Sequence, residues 1–285
     1  MTLTWAVVAA VLFGALLHAG WNTLVKSSTD KALDTAVIHL IGSLLAIPLL
    51  YFTGLPPAAA WPWILASVGI HIGYYIALTE AYRHGDLGLT YPLMRGVAPL
   101  LVALSAALTV GEDLSPLSWA GIAGVCAGVL ALGLSVQALN QPRAVAFALA
   151  NAVIIAIYTV VDALGVRKAV EGGGTAMQYL AALFVLDGWP FALLVLHRRG
   201  FGVAWPYARA RAPIAAIGAA ASMGSYGIAL WAMTRAPVAT VAALRETSVL
   251  FAALLGLVFL KEVLTLRRAL GTVAILGGVV ALRFG

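Results

Sequence analysis

Two arginines lie within long apolar runs. Arg95 lies in YPLMRGVAP, residues 91–99, and Arg245 lies in AALRETSVLFAALLGLVFLKE, residues 242–262. A charge at the centre of a bilayer costs about 2.5–3.5 kcal/mol on insertion scales, so such side chains normally face the protein interior. A guanidinium group there either grips a carboxylate or phosphate of a ligand, or forms an internal ion pair.

Carboxylates in other apolar segments are candidate partners for these arginines. They are Glu80, Asp162, Asp187 and Glu246. Because Glu246 follows Arg245 directly, we favour an ion-pair network for Arg245, and both interpretations stay open for Arg95. Asp187, in LFVLDGWPFAL, has a second interpretation as a carboxylate that binds and releases a proton, which would make protons the coupling ion.

A polar stripe runs along the first apolar segment. His18, Asn22 and Lys26 follow one another at intervals of four residues and share one helix face, which Trp21 borders. We interpret this stripe as a cavity wall with Lys26 at its mouth. The alternative is that Lys26 extends to the membrane surface and Asn22 bonds a neighbouring helix.

The sixth apolar segment carries a matching stripe. Asn151, Tyr158 and Asp162 share one helix face at spacings of seven and eleven residues. Two polar stripes in corresponding segments support the cavity interpretation of both. Asp162 lies near the predicted helix end, so a simple interfacial carboxylate is the alternative.

Tyrosines in the middle of two further segments complete the candidate site. Tyr74 and Tyr75 share a face with His71, and Tyr226 occupies a similar place in the eighth segment. The predicted cavity residues are His18, Trp21, Asn22, Tyr74, Tyr75, Arg95, Asn151, Tyr158, Tyr226 and Arg245. The predicted coupling or ion-pair residues are Asp162, Asp187 and Glu246.

The composition indicates an all-α integral membrane protein. Of its 285 residues 62% are hydrophobic and 10% are charged, against about 25% charged in soluble domains. A span needs about 20 apolar residues. Ten segments qualify, and we predict transmembrane helices at 3–25, 34–53, 61–83, 88–110, 116–136, 143–164, 175–196, 211–233, 237–260 and 265–284.

Ten spans place both termini on the same side of the membrane. Eleven Lys and Arg residues then lie on the opposite face and four on the face of the termini, so the positive-inside rule predicts termini outside the cytoplasm. We expect a plasma membrane, the inner membrane of a bacterium. This distribution explains the net charge of +6 without a nucleic-acid partner. The first segment is expected to be a retained helix rather than a cleaved signal.

The remaining motif search excludes several kinds of site. Cys126 is the single cysteine, so no intrachain disulfide forms. The five histidines are scattered and show no metal-ligand spacing, and no G-x-x-x-x-G-K-[ST] motif occurs. We therefore expect no metal, no cofactor and no enzymatic activity. The sequence leaves open whether the protein is a monomer or a homodimer.

The chain repeats itself at a separation of about 150 residues. At an offset of 150, Arg95 matches Arg245 and Glu112 matches Glu262; at an offset of 151, Tyr75 matches Tyr226. We predict two five-helix halves, residues 1–137 and 138–285. Because five is odd, the second half is inverted relative to the first, an arrangement typical of secondary transporters with a central cavity. A duplicated scaffold without transport activity is the alternative.

Two stretches of the sequence resemble a known family. YPLMRGVAPLLVALSAALTVGEDLSPLSWAGIAGVCAGVLAL and LRETSVLFAALLGLVFLKE are similar to the ends of the two EamA repeats of the drug/metabolite transporter superfamily. The resemblance extends over essentially the whole chain. It implies ten helices around a central cavity and the export or exchange of small metabolites, such as amino acids, sugars, nucleotide conjugates or drugs.

The combined hypothesis is a secondary transporter of a small polar or amphipathic metabolite, such as an amino acid. Helices 1, 3, 4, 6, 8 and 9 would line its cavity, and rocking of one half against the other would alternate access. Glycines in the fifth and tenth segments indicate close helix packing rather than a site. The alternatives are a flippase for a lipid-linked substrate, a membrane-embedded enzyme, or a structural or sensor protein.

Overall fold

The computed structural model describes residues 3–26, 28–84, 87–133, 140–260 and 265–285, and these form helices and connecting loops without strands. The α-helices are α1 (Trp5–Lys26), α2 (Lys31–Thr53), α3 (Trp61–His84), α4 (Leu87–Thr109), α5 (Pro116–Gly133), α6 (Pro142–Glu171), α7 (Ala176–Arg199), α8 (Phe201–Met233), α9 (Val238–Arg245), α10 (Ser248–Leu260) and α11 (Leu266–Phe284). A short 3-10 helix, Ala58–Ala60, precedes α3. The predicted boundary at 137/138 and Glu262 lie outside the described residues, as does the side chain of Lys26.

Seven helical segments in the described part are long and apolar enough to cross a membrane. They are Trp5–Val25, Lys31–Thr53, Ala58–His84, Thr90–Thr109, Pro142–Glu171, Ala176–Arg199 and Phe201–Met233. Pro116–Leu132 is a shorter apolar helix. The protein is therefore an all-helical integral membrane protein, and the count of ten spans in two inverted halves stays a prediction.

Two predicted loops are wrong because charged residues were taken as loop signals. Of the loop predicted at 197–210, residues up to Arg199 belong to α7 and those from Phe201 onward belong to α8, with a single turn between them at Gly200, whose φ is +77°. Its Ala- and Arg-rich sequence favours a helix. Likewise α6 continues past residue 164 to Glu171 and ends at the first of three consecutive glycines, Gly172.

The predicted single helix at 237–260 is also wrong, because it is interrupted at Glu246 and Thr247. The Thr247 hydroxyl donates to the carbonyl of Leu244 at 2.7 Å, which occupies an acceptor of the last turn of α9. Glu246 is buried at the break. The break coincides with four consecutive polar residues, Arg245 to Ser248, which interrupt the apolar run.

Eight helices form a ring in which every neighbouring pair joins one of the first four helices to one of the helices α6–α9. The order of contact around the ring is α1, α8, α2, α7, α3, α6, α4, α9 and back to α1. We call this set the cavity ring. Because helices of the first five alternate with later helices, the two predicted halves are interleaved rather than packed side by side.

The helices α5 and α11 pack tightly against each other outside the cavity ring. A Cβ atom added to Gly128 would lie 2.7 Å from the carbonyl oxygen of Gly271, and one added to Gly278 would lie 2.7 Å from that of Gly121. Only glycine permits two backbones to approach this closely. The close packing expected for these two segments is thus between α5 and α11 themselves, and neither helix lines the cavity.

Candidate substrate-binding cavity

A polar cavity of about 80 Å³ lies inside the cavity ring, and each of the eight helices contributes to its wall. Its lining residues are His18, Trp21, His39, His71, Tyr74, Tyr75, Arg95, Tyr158, Leu183, Phe184, Asp187, Ser222, Ser225, Tyr226 and Arg245. A second hollow, of about 400 Å³, is lined by Ile47, Leu50, Tyr51, Gly54, Leu55 and Val185. The second hollow has no charged lining and its residue Tyr51 is highly exposed, so it belongs to the lipid-facing surface.

Most of the sequence-predicted cavity residues meet at this cavity. The structure brings together His18, Trp21, Tyr74, Tyr75, Arg95, Tyr158, Tyr226 and Arg245, and it adds Asp187 from the ion-pair candidates. The two asparagines are corrections. Asn22 donates its Nδ2 to the carbonyl of His18 at 2.8 Å, within its own helix, and Asn151 is fully buried against Met94. Asn22 is thus bonded within α1 and Asn151 packs against α4, and neither lines the cavity.

Arg95 is held by a buried ion pair. Its Nε lies 2.8 Å from Oε2 of Glu246, and the arginine is only 7% exposed. Pro92 and Pro99 flank it in α4, while Glu246 occupies the break between α9 and α10. Sequence adjacency led us to favour Arg245 as the partner of Glu246. That assignment is wrong, because the break turns Glu246 toward α4.

Arg245 has a different environment. Among the described residues no carboxylate lies within ion-pair distance of its guanidinium, which lies 5.3 Å from the ring centroid of Tyr226. Such a cation–π contact stabilises the charge by about 0.5–2 kcal/mol but leaves its hydrogen-bond donors available. Arg245 is therefore a cation at the cavity wall without a carboxylate partner in the described part of the chain.

Asp187 belongs to a short polar chain on the opposite side of the cavity. The Tyr75 hydroxyl donates to Oδ2 of Asp187 at 2.8 Å and lies 3.1 Å from Nδ1 of His39. Oδ1 of Asp187 is buried without a hydrogen-bond partner among the described residues. Gly188 allows this arrangement, because a Cβ there would lie 2.3 Å from the carbonyl oxygen of His39 and would force α2 and α7 apart.

Asp162 supports the cavity from behind. It is fully buried and accepts hydrogen bonds from the hydroxyls of Tyr179, at 2.8 Å, and Tyr226. The interfacial alternative for Asp162 is wrong because α6 extends another nine residues, to Glu171. This carboxylate fixes the Tyr226 ring that lies beneath Arg245.

Aromatic rings form much of the remaining wall. His71 stacks on Tyr158 with ring centroids 4.4 Å apart, and Tyr74 meets Tyr158 edge-on at 5.8 Å. His39 and His71 were absent from the predicted set, although intramembrane histidines near Tyr74 and Tyr75 were a usable signal. Leu183 and Phe184 carried no signal, since apolar residues of a cavity wall and of a packed core look alike in a sequence.

The described residues contain no group of three or more His, Cys, Asp or Glu side chains placed to hold a metal ion. Membrane-crossing helices around a hollow lined by aromatic and charged groups define an integral membrane protein with an internal cavity. The sequence model of the EamA-like transporter family matches residues 142–284, half of the chain. The chain belongs to the EamA-like transporter family.

The fold is also that of a solved protein. The crystal structure of another protein matches 96% of this chain over 97% of its own length, with a TM-score of 0.73 and 22% sequence identity. At this identity the likeness concerns the fold alone. It extends over nearly the whole chain, beyond the segment that the family model matches.

Proposed function

We propose that the protein is a secondary transporter that moves a small polar or amphipathic metabolite with an anionic group, for example an amino acid, across the plasma membrane. The single observation that carries this proposal is Arg245, a cation at the wall of an internal cavity without a carboxylate partner among the described residues. A carboxylate or phosphate is the natural ligand of such a group. The surrounding tyrosines suit the apolar body of the same molecule.

The overall arrangement that we propose is ten spans in two inverted halves, residues 1–137 and 138–285. Support comes from the repeat of Arg95 and Tyr75 as Arg245 and Tyr226, whose side chains all line one cavity. The rings of Trp5 and Phe284 lie 6.4 Å apart, which supports termini on the same side of the membrane.

Access to the cavity would alternate by movement of mixed groups of helices. Rocking of one half against the other does not fit the packing, because α1 contacts α8, α2 contacts α7 and α3 contacts α6. Any relative motion of the intact halves would separate all of these pairs at once. The motion that we propose instead takes place within the cavity ring, at the break that follows α9.

Protons are the proposed coupling ion, and Asp187 is the proposed acceptor. Its Oδ1 lacks a partner among the described residues, and Tyr75 connects its other oxygen to His39. Intramembrane carboxylates in such positions commonly carry protons. In proteoliposomes with an imposed proton gradient, Asp187→Asn is expected to lose gradient-driven accumulation while substrate counterflow continues.

The test of the main proposal is counterflow in proteoliposomes against a metabolite panel, with Arg245→Ala compared with Arg235→Ala. Arg235 is a matched control, because its guanidinium also lies over an aromatic ring, that of Trp231 at 4.9 Å, but it is exposed and distant from the cavity lining. We expect transport of an anionic metabolite that Arg245→Ala abolishes and Arg235→Ala retains. Unchanged transport in Arg245→Ala, or hydrolysis or group transfer of a panel compound in detergent, would overturn the proposal.

A further inference from the structure

Glu112 follows the apolar run of α4 and has no part in the cavity. Its side chain is 9% exposed, and Oε1 lies 2.9 Å from Nη2 of Arg167. The same carboxylate accepts the backbone N–H of Val238 at 2.8 Å and that of Ala239 at 3.4 Å. These are the first two residues of α9, so Glu112 provides the cap that Pro237 cannot provide.

Arg167 holds the other side of this junction. Its Nε donates to the carbonyl of Met233 at 2.9 Å, and its Nη2 lies 3.4 Å from the carbonyl of Ala236. Met233 is the last residue of α8, where helix acceptors lack partners, and Ala236 lies in the turn between α8 and α9. The pair of Glu112 and Arg167 therefore closes the corner between α8 and α9; we call Glu112, Arg167, Val238 and Ala239 the latch.

The latch adjoins the largest apolar cluster of the described residues, to which Val238 and Ala239 belong. The largest apolar cluster joins α1, α4, α6, α8 and α9 there and includes Val7, Val11, Val102, Val160 and Met233. None of these residues lines the cavity. The cavity is thus separated from this end of the bundle by a cluster of buried apolar side chains, and the latch lies at the far side of that cluster.

The helix α9 connects the latch to the candidate site. It begins at Val238, is buried through Leu244 and ends at Arg245, so eight residues span the distance between them. At its far end Glu246 is paired with Arg95. Both ends of α9 are therefore tied to α4 or to the loop that follows α4, and α9 cannot move until one tie opens.

We propose that Glu112 is a positioning and gating residue: its bonds to Arg167 and to the start of α9 keep the cavity closed at the latch end, and their release opens the cavity to that side. This inference rests on the proposed transport function, because a closed end matters only if the ligand passes through. The inference also assigns a role to Glu112, a residue of the sequence repeat that does not line the cavity.

The test measures access to the cavity without any substrate. A Ser222→Cys reporter in the cavity wall is made in a Cys126→Ala background, and membrane vesicles of each orientation are treated with a membrane-impermeant methanethiosulfonate. A separate Glu171→Cys protein, exposed beside the latch, identifies the vesicles in which the latch end faces the reagent. Glu112→Gln removes the charge while keeping the size of the side chain.

We expect Glu112→Gln to raise the labelling rate of the reporter from the latch end at least about 10-fold, because Arg167 loses its buried ionic partner. The matched control is Asp34→Asn, which breaks the buried ion pair of Asp34 with Arg211 at 2.9 Å outside the latch. It is expected to leave labelling from the latch end unchanged. Equal labelling of Glu112→Gln and the parent reporter, with both proteins folded, would overturn the proposal.

A second variant covers the case in which Glu112→Gln fails to fold. Glu112→Cys and Val238→Cys are joined by a short bifunctional methanethiosulfonate, which locks the latch. The Ser222→Cys reporter is added for the labelling measurement and is left out of the counterflow measurement. Locked protein is expected to show no labelling from the latch end and no counterflow, and reductant restores both. Persistent counterflow in locked protein overturns the gating role, whereas the Arg245→Ala comparison tests the binding site separately.

Discussion

Arg95 and Arg245 occupy matching positions in the two sequence repeats, yet their surroundings differ. Arg95 is buried and paired with Glu246, whereas Arg245 lies over Tyr226 without a carboxylate among the described residues. The carboxylate that could have neutralised Arg245, its neighbour in sequence, is directed to the other arginine by the break in the α9–α10 segment. Matching positions in the two repeats thus have different environments, and under the proposed function only Arg245 is available to a ligand.

The largest effect on stability is expected from breaking the ion pair between Arg95 and Glu246. Glu246→Ala leaves Arg95 as an uncompensated buried charge and should lower the free energy of unfolding by about 3–5 kcal/mol. Thermal unfolding in detergent measures this effect. The double variant Arg95→Leu/Glu246→Leu removes both charges and should recover much of the loss; if it is as unstable as Glu246→Ala, the ion pair is not the cause.

Replacement of Arg245 should have the opposite result, with a loss of ligand binding and little loss of stability. Arg245→Ala removes a charged hydrogen-bond donor to the ligand, an interaction worth about 1.5–3 kcal/mol, so affinity should fall roughly 10- to 100-fold. Isothermal titration with the metabolite found by counterflow measures this change. A melting temperature that falls as far as in Glu246→Ala would mean that the two arginines have the same role.

The two matching tyrosines sharpen the comparison further. Tyr226 donates to the fully buried Asp162 and Tyr75 donates to the partly exposed Asp187. Loss of a donor to a buried acceptor costs about 1–3 kcal/mol. Tyr226→Phe should therefore destabilise the protein by about 1–3 kcal/mol and Tyr75→Phe by less, as compared by chemical unfolding in one detergent. The reverse order would contradict the supporting role assigned to Asp162.

The smallest effect is expected at an exposed ion pair, which serves as a control for the three preceding predictions. Lys168 and Glu171 form an ion pair at 2.7 Å, but both side chains are about half exposed. Exposed pairs contribute about 0.2–1 kcal/mol, so Lys168→Ala should change the free energy of unfolding by no more than about 1 kcal/mol and leave transport intact. A larger change in stability or in transport would show that the exposure of a charged side chain does not predict its contribution to either.

Helix positions were largely predictable from the sequence, because runs of about 20 apolar residues are typical of membrane-spanning helices and uncommon elsewhere. The segment predicted at 34–53 is α2, Lys31–Thr53, and that predicted at 61–83 is α3, Trp61–His84. The start of α8 and the end of α6 were missed, since Arg and Lys near a membrane surface fit a helix as well as a loop. Charge alone does not distinguish the two.

The candidate site was predictable where residue type and depth agreed. Arg95, Tyr75 and Tyr158 were all predicted from polar or aromatic side chains inside apolar runs, and all line the cavity. Asn151 shared the same pattern but packs against Met94. One face of α6 lies partly against the cavity and partly against a neighbouring helix, and Asn151 is in the second part. Which portion a side chain occupies depends on helix rotation, and the sequence does not specify that rotation to within one residue.

The pairing of α5 with α11 has a consequence for how the chain is assembled. The glycine face of α5 fits the last helix of this sequence, against which Gly121 and Gly128 have no room for even a methyl group. During synthesis about 130 further residues must emerge before that partner exists, since domains of a chain mature from the amino end. Insertion of α11 is therefore the step that covers the glycine face of α5. If synthesis stopped shortly before α11, this face of α5 would be exposed to lipid.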